Sequence, residues 1–254
     1  MTGHPPRPNR QTRSGGYARG AETRQRIVET ALDVFGAYGF EETSTRLIAD
    51  RAGVNLAALH YYFAGKQGLY RACAEHIAAY GESVIAPFVE RIEKELTDPR
   101  TTQRKLRLLL RATLDGLADR LVSPHDPPTW IVFVLREQMQ PTEAYTILHE
   151  RVIGRLIGAF AALVGRLIDR PPQAEDTILR TLAMFGPLMV FQRARGAALH
   201  ALNWPDFGGA RLALVKTTLW DTAVGALGLR PDRSARAPVA PGARAPVAPG
   251  TRRR

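Results

Sequence analysis

Residues 43–66, TSTRLIADRAGVNLAALHYYFAGK, constrain this chain more than any other stretch, because their spacing admits one comfortable fold. Ile48 and Ala49 fall on the inner side of a first short helix, and Gly53 can take the positive φ that a tight inter-helix turn needs. Asn55 is a natural N-cap for a second helix. In that helix Leu59 and Phe63, four apart, point back at Ile48 and Val54 to close a small core. Leu56, Ala57, His60 and Tyr61 then face outward. The pattern is a helix-turn-helix, whose second helix suits the major groove of DNA.

The preceding segment completes the unit. Between 23 and 39, apolar residues recur at Ile27, Val28, Ala31, Leu32, Val34 and Phe35 as a helical stripe, Gly39 ends it, and Phe40 follows as a buried plug. The run from Thr23 to Leu69 resembles the DNA-binding domain of the TetR family of bacterial transcriptional regulators. The residues that carry this resemblance are Thr23, Arg24, Ile27, Ala31, Phe35, Gly39, Thr43, Ile48, Ala49, Ala52, Gly53, Val54, Leu59, Phe63, Lys66 and Leu69.

Charge supports nucleic-acid binding only through its distribution. The chain carries a net charge of +11, but residues 1–21 hold four arginines without an acid, and residues 230–254 hold seven arginines against Asp232. Residues 22–66 contain five basic and six acidic side chains, so DNA binding is argued from the motif, with the tails supplying general attraction for phosphate. No run of 18 apolar residues is present, so no membrane span is expected, and the Arg/Gly-rich start shows no secretory h-region. Cys73 is the single cysteine, which excludes an intramolecular disulfide, suits a reducing cytoplasm and reads as a buried filler.

Four regions separate along the 254 residues: a basic, disordered arm (1–21), the helix-turn-helix domain (22–66), a helical regulatory and dimerisation domain (67–229) and a disordered Pro/Ala/Arg tail (230–254) carrying a tandem octapeptide. Within the third region, helices are expected at about 66–96, with Pro87 kinking or splitting it, and at 102–121, 129–140 and 142–168. Two more are expected at 174–202, broken near Gly186-Pro187, and at 208–227. The Pro-rich SPHDPP at 123–128 reads as a connector. The fold class is all-α, with about nine helices. Arg136-Glu137-Gln138, Pro141-Thr142 and HERVIG at 149–154 resemble the regulatory domain of the CecR-like (CerR) branch of the same family, which implies a ligand-responsive repressor.

The family's roles, carried onto this chain, put Leu56, Ala57, Ala58, His60 and Tyr61 on the recognition helix. The first three are apolar and suit thymine methyls, and Arg46 is the candidate for bidentate reading of guanine. Thr23, Thr45, Tyr61, Tyr62 and Lys66 suit phosphate oxygens. The resemblance also implies a homodimer on a palindromic operator, formed by the helices at 174–202 and 208–227. Leu212, Val215, Leu219, Trp220, Ala223 and Leu227 lie on the second of them, an apolar set broad enough to serve both its own core and a partner. A small-molecule effector would bind among the body helices, where Trp130, Phe133, Arg136, Glu137, Met139, His149, Phe185, Met189 and Gln192 are candidates. No cofactor is expected. An enzymatic role finds no motif: the histidine that a zincin pairing with His149-Glu150 needs is replaced by Ile153. A non-sensing architectural DNA-binding protein is the remaining alternative, and a body of about 160 residues argues against it.

Overall fold

The computed structural model describes residues 10–122 and 128–229. Their secondary structure is helical throughout. α1 (Arg10–Tyr38), α2 (Thr45–Ala52) and α3 (Leu56–Phe63) lead into the long α4 (Lys66–Leu96). α5 (Gln103–Val122) and α6 (Pro128–Met139) follow, then α7 (Glu143–Leu148), which runs through a π-helical turn at His149–Ile153 into α8 (Gly154–Ile168). α9 (Glu175–Arg193), α10 (Arg195–Leu202) and α11 (Ala210–Ala226) complete the molecule.

Three boundaries differ from the sequence reading. α1 starts at Arg10, so helix covers much of the segment expected to be an arm over 1–21; Gln11, Arg13, Ala18, Arg19 and Ala21 are all competent helix formers, and no proline interrupts them. Pro87 does not split α4: the Ser83 carbonyl that loses its helical donor sits on an exposed turn, where water can replace the bond. Nor does Pro187 break α9, because the corresponding Ala183 is also exposed; the chain breaks at Ala194 instead. The first part of the arm, most of the connector at 123–128 and the octapeptide tail lie outside the described residues.

Two hydrophobic cores hold the helices together. The first gathers Ile27, Leu32 and Phe35 of α1, Ile48 of α2, Leu59 and Phe63 of α3, and Leu69, Tyr70 and Cys73 of α4. It also takes in Phe133, Ala144 and Leu148 from α6 and α7, so it crosses the boundary expected at residue 66. The second core joins Ile85, Val89 and Ile92 of α4 to Leu106, Leu110, Phe160, Leu163, Leu188 and Leu219. Cys73 is fully buried, and desolvation pushes its thiol well above the ordinary range, which makes it an inert filler.

The residues expected at a dimer surface are used differently. Val215, Leu219, Trp220, Ala223 and Leu227 are buried in the second core and Leu212 packs against it. A helix has two long faces, and the more apolar face of α11 belongs to its own chain. The opposite side exposes Leu214, and the neighbouring α9 exposes Leu179, Leu182 and Val190.

Candidate nucleic-acid interface and the adjoining cavity

The helix-turn-helix is set by local chemistry. Ser44 caps α2, its hydroxyl accepting from the Leu47 N–H at 3.1 Å. Gly53 ends that helix in the left-handed region (φ 65°, ψ 37°), and the Val54 N–H returns to the Ala49 carbonyl at 3.0 Å. The Asn55 side chain then accepts from the Ala58 N–H at 2.7 Å and opens α3. Arg26 of α1 clasps the end of α2, Nε donating to the Ala52 carbonyl at 3.1 Å.

Leu59 and Phe63 anchor α3 in the first core. Ala57, His60 and Tyr61 stand on its exposed side, Tyr61 with 84% of its surface in solvent. Leu56 and Tyr62 are half-buried and pack against the core, so the reading of Leu56 as wholly outward is corrected; at the first turn its long side chain folds under the helix. Ala58 and Thr45 are half-buried, and Arg46 is exposed. Thr23 spends its hydroxyl proton on the Arg19 carbonyl at 2.9 Å. Lys66 turns back onto the α1–α2 turn, donating to the Glu41 carbonyl at 3.1 Å with its ammonium 4.4 Å from the Phe40 ring centroid.

Behind this head lies a cavity of about 560 Å³. α4 contributes Ile77, Tyr80 and Val84 to its wall, α6 Trp130, Ile131, Val134 and Gln138, the π turn Val152 and Ile153, and α9 Phe185, Met189, Gln192 and Arg193. The HERVIG segment singled out in the sequence thus holds the π turn, a form that recurs at functional sites. Arg193 carries the polar end: its Nη1 donates to Gln138 Oε1 at 2.8 Å, its Nε is buried without an acceptor, and desolvation lowers the guanidinium pKa.

Of the nine candidate ligand residues, Trp130, Phe185, Met189 and Gln192 line this cavity and five do not. Phe133 is buried against Tyr70 in the first core, ring centroids 4.6 Å apart. Glu137, 2% exposed, accepts from Tyr70 Oη at 2.6 Å and from Thr142 through Oγ1 at 2.8 Å and N–H at 3.1 Å. Arg136 covers Gly39, Met139 points into solvent, and His149 is exposed beside Tyr145. The helical period of α6 explains the split: 130, 131, 134 and 138 share one face, while 129, 133, 136 and 137 share the other. That second face lies on α1, where a Cβ at Gly36 would come within 2.7 Å of the Thr129 carbonyl oxygen and the Thr129 hydroxyl donates to Asp33 at 2.9 Å. Arg193 was not singled out from the sequence, since a cation in the last turn of a helix is ordinary.

A helix-turn-helix seated on a helical body that carries a largely apolar, partly open cavity defines a DNA-binding regulator. Residues 27–73 match the family described as bacterial regulatory proteins, tetR family. Residues 106–228 match the family described as HTH-type transcriptional dual regulator CecR, C-terminal domain. The chain is 32% identical over 202 residues to the HTH-type transcriptional dual regulator CecR of Shigella flexneri, an alignment spanning 79% of this chain and 89% of that protein. In fold it is similar to a TetR-like transcriptional regulator from Rhodococcus sp. RHA1 (TM-score 0.55, 24% identity, 81% of this chain and 96% of that one). A transcriptional regulator from Pseudomonas aeruginosa PAO1 is similar too (TM-score 0.55, 16% identity, 81% of this chain and 90% of that one). The chain belongs to the TetR family of transcriptional regulators, in its CecR-like branch. These relatives are regulators of transcription and not enzymes.

Proposed function

We propose that the protein is a repressor that binds a palindromic operator as a homodimer and is released when a small molecule enters the cavity behind α6. The observation that carries DNA recognition is the exposed face of α3, where Ala57, His60 and Tyr61 project away from a core that holds Leu59 and Phe63. Ala57 and the outer part of Leu56 suit thymine methyls, His60 and Tyr61 base edges or phosphates, and the exposed Arg46 guanine. Lys66 retains N–H donors for phosphate beyond the one given to Glu41. Thr45 and Tyr62 flank this face as phosphate contacts, and Thr23 joins them only by giving up its bond to the Arg19 carbonyl. Converting His60 and Tyr61 together to alanine is expected to weaken binding to the protein's own promoter region by roughly tenfold or more. Fluorescence anisotropy reads the loss, with the unfolding temperature unchanged; full affinity in this variant would remove α3 from the reading.

The exposed stripe of Leu179, Leu182 and Val190 on α9, flanked by Leu214 of α11, supports the dimer, because isolated soluble surfaces seldom leave four large apolar side chains in one patch. Leu179→Glu with Leu214→Glu is expected to give a monomer in sedimentation velocity, with operator binding falling alongside. A dimer that survives both charges would move the interface elsewhere.

Release requires an effector with different affinities for the DNA-competent and DNA-incompetent states. α6 supports such coupling because one of its faces lines the cavity and the other is pressed onto α1. A non-sensing architectural protein would have no use for a chamber of this size beside its DNA-binding head. The name of the Shigella relative, a dual regulator, supports a second mode in which the same bound dimer activates some promoters. A reporter carrying each bound promoter separates the two modes.

A further inference from the structure

We propose that the cavity is built for a molecule with an apolar body and a single carboxylate, and that Arg193 is the partner of that carboxylate. The proposal rests on the reading of the cavity as an effector site and adds the chemistry of the occupant.

Among the described residues Arg193 is the one charged side chain lining the cavity, and no ion pair engages it. Its Nε–H is buried with no acceptor. The side chain as a whole is half-buried, so the cost falls on this one N–H, a buried donor that an acceptor inside the cavity would satisfy. Among the described residues its side chain donates to a neutral amide, Gln138 Oε1 at 2.8 Å. That bond turns the Gln138 NH2 group into a further donor, and Gln192 adds a second amide at the same end. The polar end of the chamber is therefore rich in N–H donors and contains no carboxylate, the arrangement that suits an anion.

One guanidinium balances one charge. A phosphomonoester brings between one and two negative charges near neutral pH and would leave an excess in a low-dielectric wall. A carboxylate brings one, and its two oxygens match the planar fork of Arg. Apart from the phenols of Tyr80 and Tyr145, the remaining wall, with Trp130, Val134, Leu156, Phe185 and Met189, is apolar and calls for a hydrocarbon or aromatic body. A volume of about 560 Å³ lies within the usual span for drug-sized ligands.

The test is calorimetric titration of the full-length protein with decanoate, decanol, decylamine and decyl phosphate, each below its aggregation threshold. Decanoate is expected to bind at least tenfold more tightly than decanol. Arg193→Gln is expected to bring decanoate down to the level of decanol while leaving decanol unchanged, and Arg193→Lys to restore part of the preference. Ligand-free Arg193→Gln is expected to melt at the same temperature or higher, since it removes a buried N–H donor that has no acceptor. A lower melting temperature together with an intact preference for decanoate would assign Arg193 a structural role and overturn the proposal. Equal binding of decanol or decylamine by the wild type, or tighter binding of decyl phosphate, overturns the carboxylate assignment and leaves the chamber standing as an effector site. Binding of decanoate that fails to release promoter DNA does the reverse: it keeps the assignment and removes the effector reading. If none of the four binds, both fall.

Discussion

Gly68→Val is expected to abolish DNA binding and to lower the free energy of unfolding by about 3 kcal/mol, the upper end of the cost of overpacking. Gly68 lies in the first turn of α4, directly under the end of α3. A Cβ there would fall on the Phe63 carbonyl oxygen, well inside contact distance, and 3.0 Å from its carbonyl carbon. Backbone cannot rotate aside as a side chain can. The connection between the two helices has no slack either, because Ala64 (φ 54°) and Gly65 (φ 116°) already hold positive φ to make the turn. Relief must come from moving α3, and with it Ala57, His60 and Tyr61. Urea unfolding followed by circular dichroism measures the first effect, and anisotropy on promoter DNA the second. Gly196→Ala on α10, where an added methyl meets open space, serves as the comparison and is expected to be neutral or to stabilise by up to ~1 kcal/mol. Equal unfolding midpoints for the two variants would show that α3 and α4 are not in this close contact.

Glu137→Ala is the second large effect, with an expected loss of about 3 kcal/mol. The carboxylate is buried and takes all three of its recorded hydrogen bonds from within the protein, from Tyr70 and twice from Thr142. Burial, followed by the bond to Glu137, pushes the Tyr70 phenol far above its ordinary range, so the proton that Glu137 accepts stays in place at any pH the fold survives. Truncation leaves the buried Tyr70 hydroxyl without its partner, whereas Thr142 is exposed and its donors can turn to water. Tyr70→Phe removes this orphan, so the double variant Glu137→Ala/Tyr70→Phe is expected to lose less than the sum of the two single variants. Strict additivity in that cycle would show that the pair is not coupled.

The head of this protein is legible in its sequence because its determinants are local. A glycine at a positive-φ turn and an asparagine capping the next helix act within four residues of their own position, and both do so in the structure. The extent of α4 could be read for the same reason, since Gly65 precedes it and a Thr-Asp-Pro run follows it. What could not be read is which of two apolar faces meets which neighbour. α11 carries one apolar stripe that the chain buries itself, with only Leu214 among the large apolar residues left outside, and period alone does not separate a core face from a partner face. α6 is apolar nearly all round, so Trp130 and Phe133 look equivalent until α1 is seen to occupy one side. Glu137, a candidate for the effector site, is held instead by Tyr70 and Thr142, and the cation at the cavity is Arg193.

α4 is shared between the two cores, and the first core also draws on Phe133, Ala144 and Leu148. A fragment ending near residue 66 would therefore strip this core of Leu69, Tyr70, Cys73, Phe133, Ala144 and Leu148, and Phe35 of its Tyr70 neighbour. Excising the operator-reading portion by itself is not a neutral simplification. The smallest self-sufficient piece has to carry the first half of α4 and the α6–α7 corner with it, and with them part of the cavity wall.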